Sequence, residues 1–96
     1  MDERRVLARA AELGIEYVES LGERPVRPVA TIDELRARLD VALTDGPSDA
    51  VDVIEQLARD ADPGLTATGG GRYFGFVIGG AVPAALAADW LTTAWD

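Results

Sequence analysis

The chain has 96 residues, of which 48% are hydrophobic and 27% charged, and a formal net charge of -8. This makes it one domain or part of one, apolar enough to fold and too short to bury a large core. Its negative charge opposes a polyanion, so no nucleic-acid partner is expected. All nine basic residues are arginine, and there is no lysine, histidine or cysteine. Their absence removes Schiff-base chemistry, imidazole acid–base catalysis, thiolate nucleophiles, zinc–thiolate sites and disulfides.

The N-terminal run Met1-Asp2-Glu3-Arg4-Arg5 is charged and leads into an amphipathic stretch without an apolar signal core, so the expected compartment is cytoplasmic. From Glu3 to Leu21, Val6, Ala10, Leu13, Tyr17 and Leu21 recur at three- and four-residue spacing, widened by Leu7 and Val18, which predicts a helix stopped near Gly22. Arg24-Pro25-Val26-Arg27-Pro28 carries two prolines that turn the preceding residues away from helix, so it should run extended. Thr31-Ile32-Asp33-Glu34 fits a capping box, and Ile32, Leu35, Leu39 and Ala42 predict a second helix from about Ile32 to Leu43. Asp45-Gly46-Pro47-Ser48 reads as a turn ending in an N-cap. Val51, Ile54, Leu57, Ala58 and Ala61 give a third helical stripe, closed by Asp62-Pro63-Gly64.

A loop rich in Gly and Thr, Leu65 to Gly71, leads to Arg72-Tyr73-Phe74-Gly75-Phe76-Val77-Ile78, where aromatic and β-branched residues favour a short extended segment. The chain turns at Gly79-Gly80, and Pro83 opens a last helix to Trp95, apolar almost all round. The fold class is therefore mainly α: three amphipathic helices, an extended aromatic segment and a final apolar helix. After Arg72 the only acids are Asp89 and Asp96, so the last quarter is expected to be buried. Its helical pattern reaches Asp96 without a stop signal, which reads as a chain cut short.

The run from Arg72 through Tyr73-Phe74-Gly75-Phe76-Val77-Ile78-Gly79-Gly80-Ala81-Val82-Pro83 and Ala88-Asp89-Trp90-Leu91 to Ala94-Trp95-Asp96 resembles a signature of the group II pyridoxal-phosphate decarboxylases. These include the aromatic-amino-acid and glutamate decarboxylases and their bacterial relatives, enzymes of fold type I in the aspartate aminotransferase superfamily. Arg24-Pro25-Val26-Arg27-Pro28, the helix pair and the Asp62-Pro63-Gly64 turn follow in that family's order, so the resemblance spans about Glu23 to Asp96.

The resemblance implies that residues 1–64 form a helical dimerisation segment packed over the neighbouring subunit of a homodimer. Residues 65–96 would supply the Gly-rich loop, a pocket-wall segment and the start of a buried helix, all within a larger α/β enzyme. Phe76, Val77, Ile78 and Gly79 are implied to face the amino-acid substrate, which would lose carbon dioxide from its α-carbon. Pyridoxal phosphate, its lysine, the histidine on its ring and the aspartate at its pyridine nitrogen are implied to belong to a large domain outside these residues. This chain alone is expected to bind no cofactor and to contain no catalytic residue. Relatives often carry His-Pro or Ser-Pro before the Tyr-Phe pair, where this chain reads Gly70-Gly71-Arg72, and the identity of the amino acid stays open.

Each of these readings has a plainer counterpart. A Phe-Gly-Phe-Val-Ile string buries readily as core in any small domain. Asp89, alone on an apolar helix, could be a carboxylate with a raised pKa, but reads better as hydrogen-bonded to backbone or to another subunit. Gly69-Gly70-Gly71 and Gly79-Gly80 lack the spacing of a phosphate-binding loop and read as hinge and turn. The apolar run from Tyr73 to Trp95 is too interrupted to span a membrane. Asp45, Asp49, Asp52, Asp60 and Asp62 lack the glycine and glutamate of a calcium loop. The alternative to an enzyme segment is a small acidic, non-catalytic helical module that binds a protein partner through its last helix. A reading frame continuing past Asp96 into several hundred residues, with a lysine after a buried strand, would separate the two.

Overall fold

The computed structural model describes residues 3–75, 80 and 82–96. Four α-helices form: α1, Glu3–Ser20; α2, Ile32–Leu39; α3, Ala50–Ala61; and α4, Pro83–Trp95, with a 3-10 turn at Asp62–Gly64 after α3. The chain is thus mainly helical, and no strand occurs among the described residues. The extended aromatic segment predicted from Arg72 to Ile78 is not a strand over Arg72–Gly75; Phe76, Val77 and Ile78 lie outside the described residues.

Helices α2 and α3 start at side-chain caps. At α2 the Thr31 hydroxyl accepts from the Glu34 N–H at 3.1 Å while the Glu34 carboxylate accepts from the Thr31 N–H at 3.1 Å, so two free amides are satisfied reciprocally. At α3 the cap is Asp49, one residue beyond the predicted Ser48, and its carboxylate accepts from the Asp52 N–H at 3.2 Å.

Helix α2 stops at Leu39, four residues short of the predicted Leu43, with Asp40 leaving helical geometry at φ -86 and ψ 76. Asp40, Val41 and Thr44 are weak helix formers. Leu43 is 98% exposed, so another turn would bury nothing in return for its ordering cost.

α1 packs along α3, and α2 packs on α3 and the 3-10 turn. The Arg5–Asp49 and Arg9–Glu55 ion pairs, at 2.6 and 2.8 Å, bridge α1 and α3. Both lie at the surface, where screening by solvent leaves such pairs little net effect.

The extended strap Arg24–Ala30 is tied by its backbone to the turn after α3 and to Ala67. Val29 and Ala30 both donate N–H groups to the Pro63 carbonyl, at 2.9 and 3.0 Å, and Ala67 donates to the Val26 carbonyl at 2.8 Å. A strap with two prolines cannot complete a ladder, yet its free amides find carbonyls on the turn after α3. Ala67, 1% exposed, and Val51, 8% exposed, are the buried apolar residues among those described.

The rest is thinly covered. The chain exposes 7739 Å², whereas a compact monomer of 10.2 kDa exposes about 5,300 Å². Its radius of gyration is 15.3 Å, against about 12.5 Å for a compact domain of this length. Helix α4, expected to be buried, is exposed along nearly its whole length within the chain. It touches α1 through Trp90, whose ring lies over Gly14: a Cβ there would come within 3.0 Å of the indole. No described helix is long and apolar enough to cross a membrane.

Candidate functional site

The main concavity is an open groove of about 890 Å³ between α1 and α3, continued by the strap. Its floor is apolar, with Leu13 from α1 and Ile54, Leu57 and Ala58 from α3. Those residues face one another because the helical stripes of α1 and α3 are the two that pack together. Arg9, Arg24, Arg27 and Arg59 stand around the floor, with Glu16, Glu55 and Asp62.

Arg24 is the best-held of these arginines. Its guanidinium lies 4.6 Å from the centre of the Tyr17 ring. It donates to the Asp62 carboxylate at 2.9 Å, to the Asp62 carbonyl at 3.2 Å and to the Ser20 hydroxyl at 3.3 Å. Its side chain is 13% exposed, and its Nε is buried without an acceptor. The end of α1, the strap and the turn after α3 are thus joined through one planar cation, a role lysine cannot copy.

Arg9 is paired with Glu55 and with Glu12, which together hold its guanidinium above its ordinary pKa, Glu55 first. Arg27 and Arg59 form no ion pair with any described residue. Ser20, the groove's one hydroxyl besides Tyr17, donates to the Tyr17 carbonyl at 2.7 Å. No set of residues able to hold a metal ion occurs among the described residues.

The predicted pocket-wall residues Phe76, Val77, Ile78 and Gly79 all lie outside the described residues. Their approach is described. Arg72 donates to the Leu21 carbonyl at 3.4 Å and to the Arg24 carbonyl, which ties the aromatic segment to the end of α1. Tyr73 is half-buried and folds back over Gly75, where a side chain would run into its ring, while Phe74 is 89% exposed.

The Gly69-Gly70-Gly71 run forms a turn, with the Gly70 N–H donating to the Ala67 carbonyl at 3.2 Å. Asp89 is exposed on α4 and makes no hydrogen bond among the described residues. The Arg24–Tyr17–Asp62 hub was not legible as a site, because Arg24 looks in sequence like any solvated arginine after a helix stop. No family model matches the chain, and no curated protein or solved structure matches it.

Proposed function

We propose that this chain is the N-terminal segment of a cytoplasmic pyridoxal-phosphate-dependent amino-acid decarboxylase, acting as a clamp on a second subunit and as part of the substrate-pocket wall. The observation that carries the reading is the run from Arg72 to Asp96, with its Tyr-Phe pair, its glycines, Pro83 and the Ala-Ala-Asp-Trp-Leu of α4. The exposed α4 supports it, since a helix this apolar is stable in water only where something covers it.

The chain's own residues do not fit the cofactor. Pyridoxal phosphate is held through a lysine amine, and this sequence has none, so the cofactor and its chemistry belong to the large domain. This segment's work is to cover, orient and exclude water around an amino-acid side chain. Added to the isolated chain, pyridoxal phosphate should leave no stoichiometric visible band after gel filtration.

The test is to join the segment to a matching large domain and measure carbon dioxide release from two dissimilar amino acids, one aromatic and one acidic. Phe76→Ala should leave cofactor binding intact and change the ratio of the two kcat/KM values, because one apolar pocket contact discriminates by about 1 to 3 kcal/mol. An unchanged ratio with a large fall in Tm would make Phe76 packing. An inactive chimera that binds cofactor normally would count against the segment's assignment.

A second reading, a non-catalytic acidic interaction module, draws on the same exposed helix. It gains ground if the isolated chain sediments as a compact monomer with a cooperative unfolding transition at tens of micromolar.

A further inference from the structure

Every residue of the connection between α2 and α3, from Asp40 to Asp49, is exposed. Within it the chain bends at Asp45-Gly46, the one Asp-Gly pair in the sequence. A side chain at Gly46 would stand in open space, and the Gly46 N–H donates to no acceptor among the described residues. Pro47 turns Gly46 away from helix, and the Thr44 hydroxyl donates to the Gly46 carbonyl at 3.3 Å. A backbone nitrogen that is neither hydrogen-bonded nor shielded by a Cβ is free to attack the carboxyl of the residue before it. The other aspartates are held differently. Asp33, Asp52, Asp60 and Asp89 lie within helices, whose geometry keeps the following nitrogen away from the side-chain carboxyl. Asp40 precedes Val41, which is branched at Cβ and whose N–H donates to the Leu39 carbonyl at 3.1 Å. The Asp49 carboxylate accepts from Arg5 and from the Asp52 N–H. Asp62 precedes Pro63, which has no N–H.

We propose that Asp45 is a site of spontaneous isoaspartate formation in the folded chain, and that the product is a substrate for an S-adenosylmethionine-dependent isoaspartyl carboxyl methyltransferase. The Gly46 nitrogen bonds to Cγ of Asp45, and one carboxyl oxygen leaves as water, taking the amide proton and one proton from solvent. Water then opens the cyclic imide. Attack at Cγ restores aspartate, whereas attack at the α-carbonyl leaves Gly46 joined through Cγ and frees the α-carboxyl, which returns a proton to solvent. The net change is an isomerisation that adds one methylene to the backbone and leaves the charge unaltered. Nothing packs around Gly46, so the connection absorbs the added length and α2 and α3 stay as they are. The methyltransferase moves a methyl group from the sulfonium of its cofactor to the new α-carboxylate, leaving the thioether. The Gly46 nitrogen then displaces methanol, which carries off the amide proton, and the imide re-forms. An exposed connection with few backbone hydrogen bonds presents the peptide that such an enzyme must take into its cleft.

The experiment ages the purified folded chain in warm neutral buffer made with heavy-oxygen water. Part is digested with trypsin and part is kept intact. Both are then given a protein isoaspartyl methyltransferase and S-adenosylmethionine labelled in its methyl group. Trypsin cuts after Arg38 and after Arg59 and nowhere between, because no other basic residue lies there. The peptide Leu39–Arg59 should gain one heavy oxygen atom and accept the methyl label, increasingly with time. The intact aged chain should accept it too and release labelled methanol.

Two variants separate Asp45 from the other aspartates of that peptide. Gly46→Ala adds a methyl group in open space, so its circular dichroism should match wild type while most of the label is lost. Asp45→Glu should lose the label from this peptide altogether, since its carboxyl could close only a larger, slower-forming ring. The proposal is overturned by an aged wild-type peptide that takes no label, by label that persists in Asp45→Glu, or by a Gly46→Ala chain labelled like wild type. It is overturned also if the digest accepts methyl groups and the intact aged chain does not. None of these results touches the decarboxylase reading, which stands or falls on the chimera's activity.

Discussion

The strap and α4 solve the same problem in opposite ways. The strap is rich in arginine and proline and poor in apolar area, yet it is fixed by three backbone hydrogen bonds to Pro63 and Ala67 and by the Arg24 side chain. Helix α4 carries the densest apolar sequence in the chain and, among the described residues, meets α1 through Trp90 on Gly14 and around Val18. Hydrophobic content thus does not locate the segment best tied to the rest of the chain. Backbone groups and a planar cation find partners at the strap, while the apolar helix lies on the outside.

The largest effect should come from the strap's anchor. Ala67→Leu forces three extra carbons into a site that is 1% exposed, and overpacking of this kind costs about 1 to 3 kcal/mol. For a domain this size that lowers Tm by roughly 4 to 8 °C per kcal/mol, measurable by circular dichroism. A variant that melts like wild type would mean the strap is not the anchor.

Next is Arg24→Met, which removes the ion pair to Asp62 and the stacking on Tyr17 and should cost about 1 to 2 kcal/mol, the exposed Asp62 end adding little. Arg24→Lys should recover only part, since an ammonium cannot stack and fork together. Full recovery by lysine would reduce the hub to a simple charge pair.

Thr31→Ala should cost about 1 kcal/mol through loss of the α2 cap. Its pH dependence sharpens the assignment. The Thr31 N–H holds the Glu34 carboxyl below its ordinary 4.5. A lowered folded-state pKa gives stability that is complete above 4.5 and is lost as pH falls through the folded value. The deficit of Glu34→Ala relative to wild type should therefore be largest near neutrality and shrink on acidification below 4.5, whereas Thr31→Ala keeps the backbone N–H that holds the carboxylate. A gap for Glu34→Ala that stays constant with pH would mean that the carboxylate charge contributes nothing to the cap.

The smallest effect is expected from α4. Leu91→Ser with Trp95→Ser should change the unfolding free energy of the dilute chain by less than about 0.5 kcal/mol, as exposed substitutions do, while raising the concentration at which it associates. A large destabilisation in dilute solution would erase the contrast with the strap.

The helical elements were readable because their signals are local. The capping box at Thr31, the stripe from Val6 to Tyr17 and the prolines at 25 and 28 act within a turn or two of the chain. The failures share a cause. The length of α2 beyond Leu39 depended on whether Val41 and Leu43 had anything to pack against, and the burial expected of α4 depended on a cover that the chain does not provide. Neither is a property of a window of residues. The Arg24 hub joins residues 38 apart in sequence, and no spacing rule connects Arg24 to Asp62.

What the sequence by itself determined is the set of helices α1 to α4, the capping box of α2, the excess of acid over base, and the chemistry ruled out by the absence of lysine, histidine and cysteine. Propensity, capping and composition are set residue by residue. Only the tertiary structure decided which arginines of the groove are held in internal pairs and which have no ion-pair partner among the described residues, that Ala67 rather than any aromatic residue is the most buried side chain described, and that the apolar face of α4 is open within the chain. Each of these depends on which distant segments meet, and so on the balance of burial and hydrogen bonding across the whole chain.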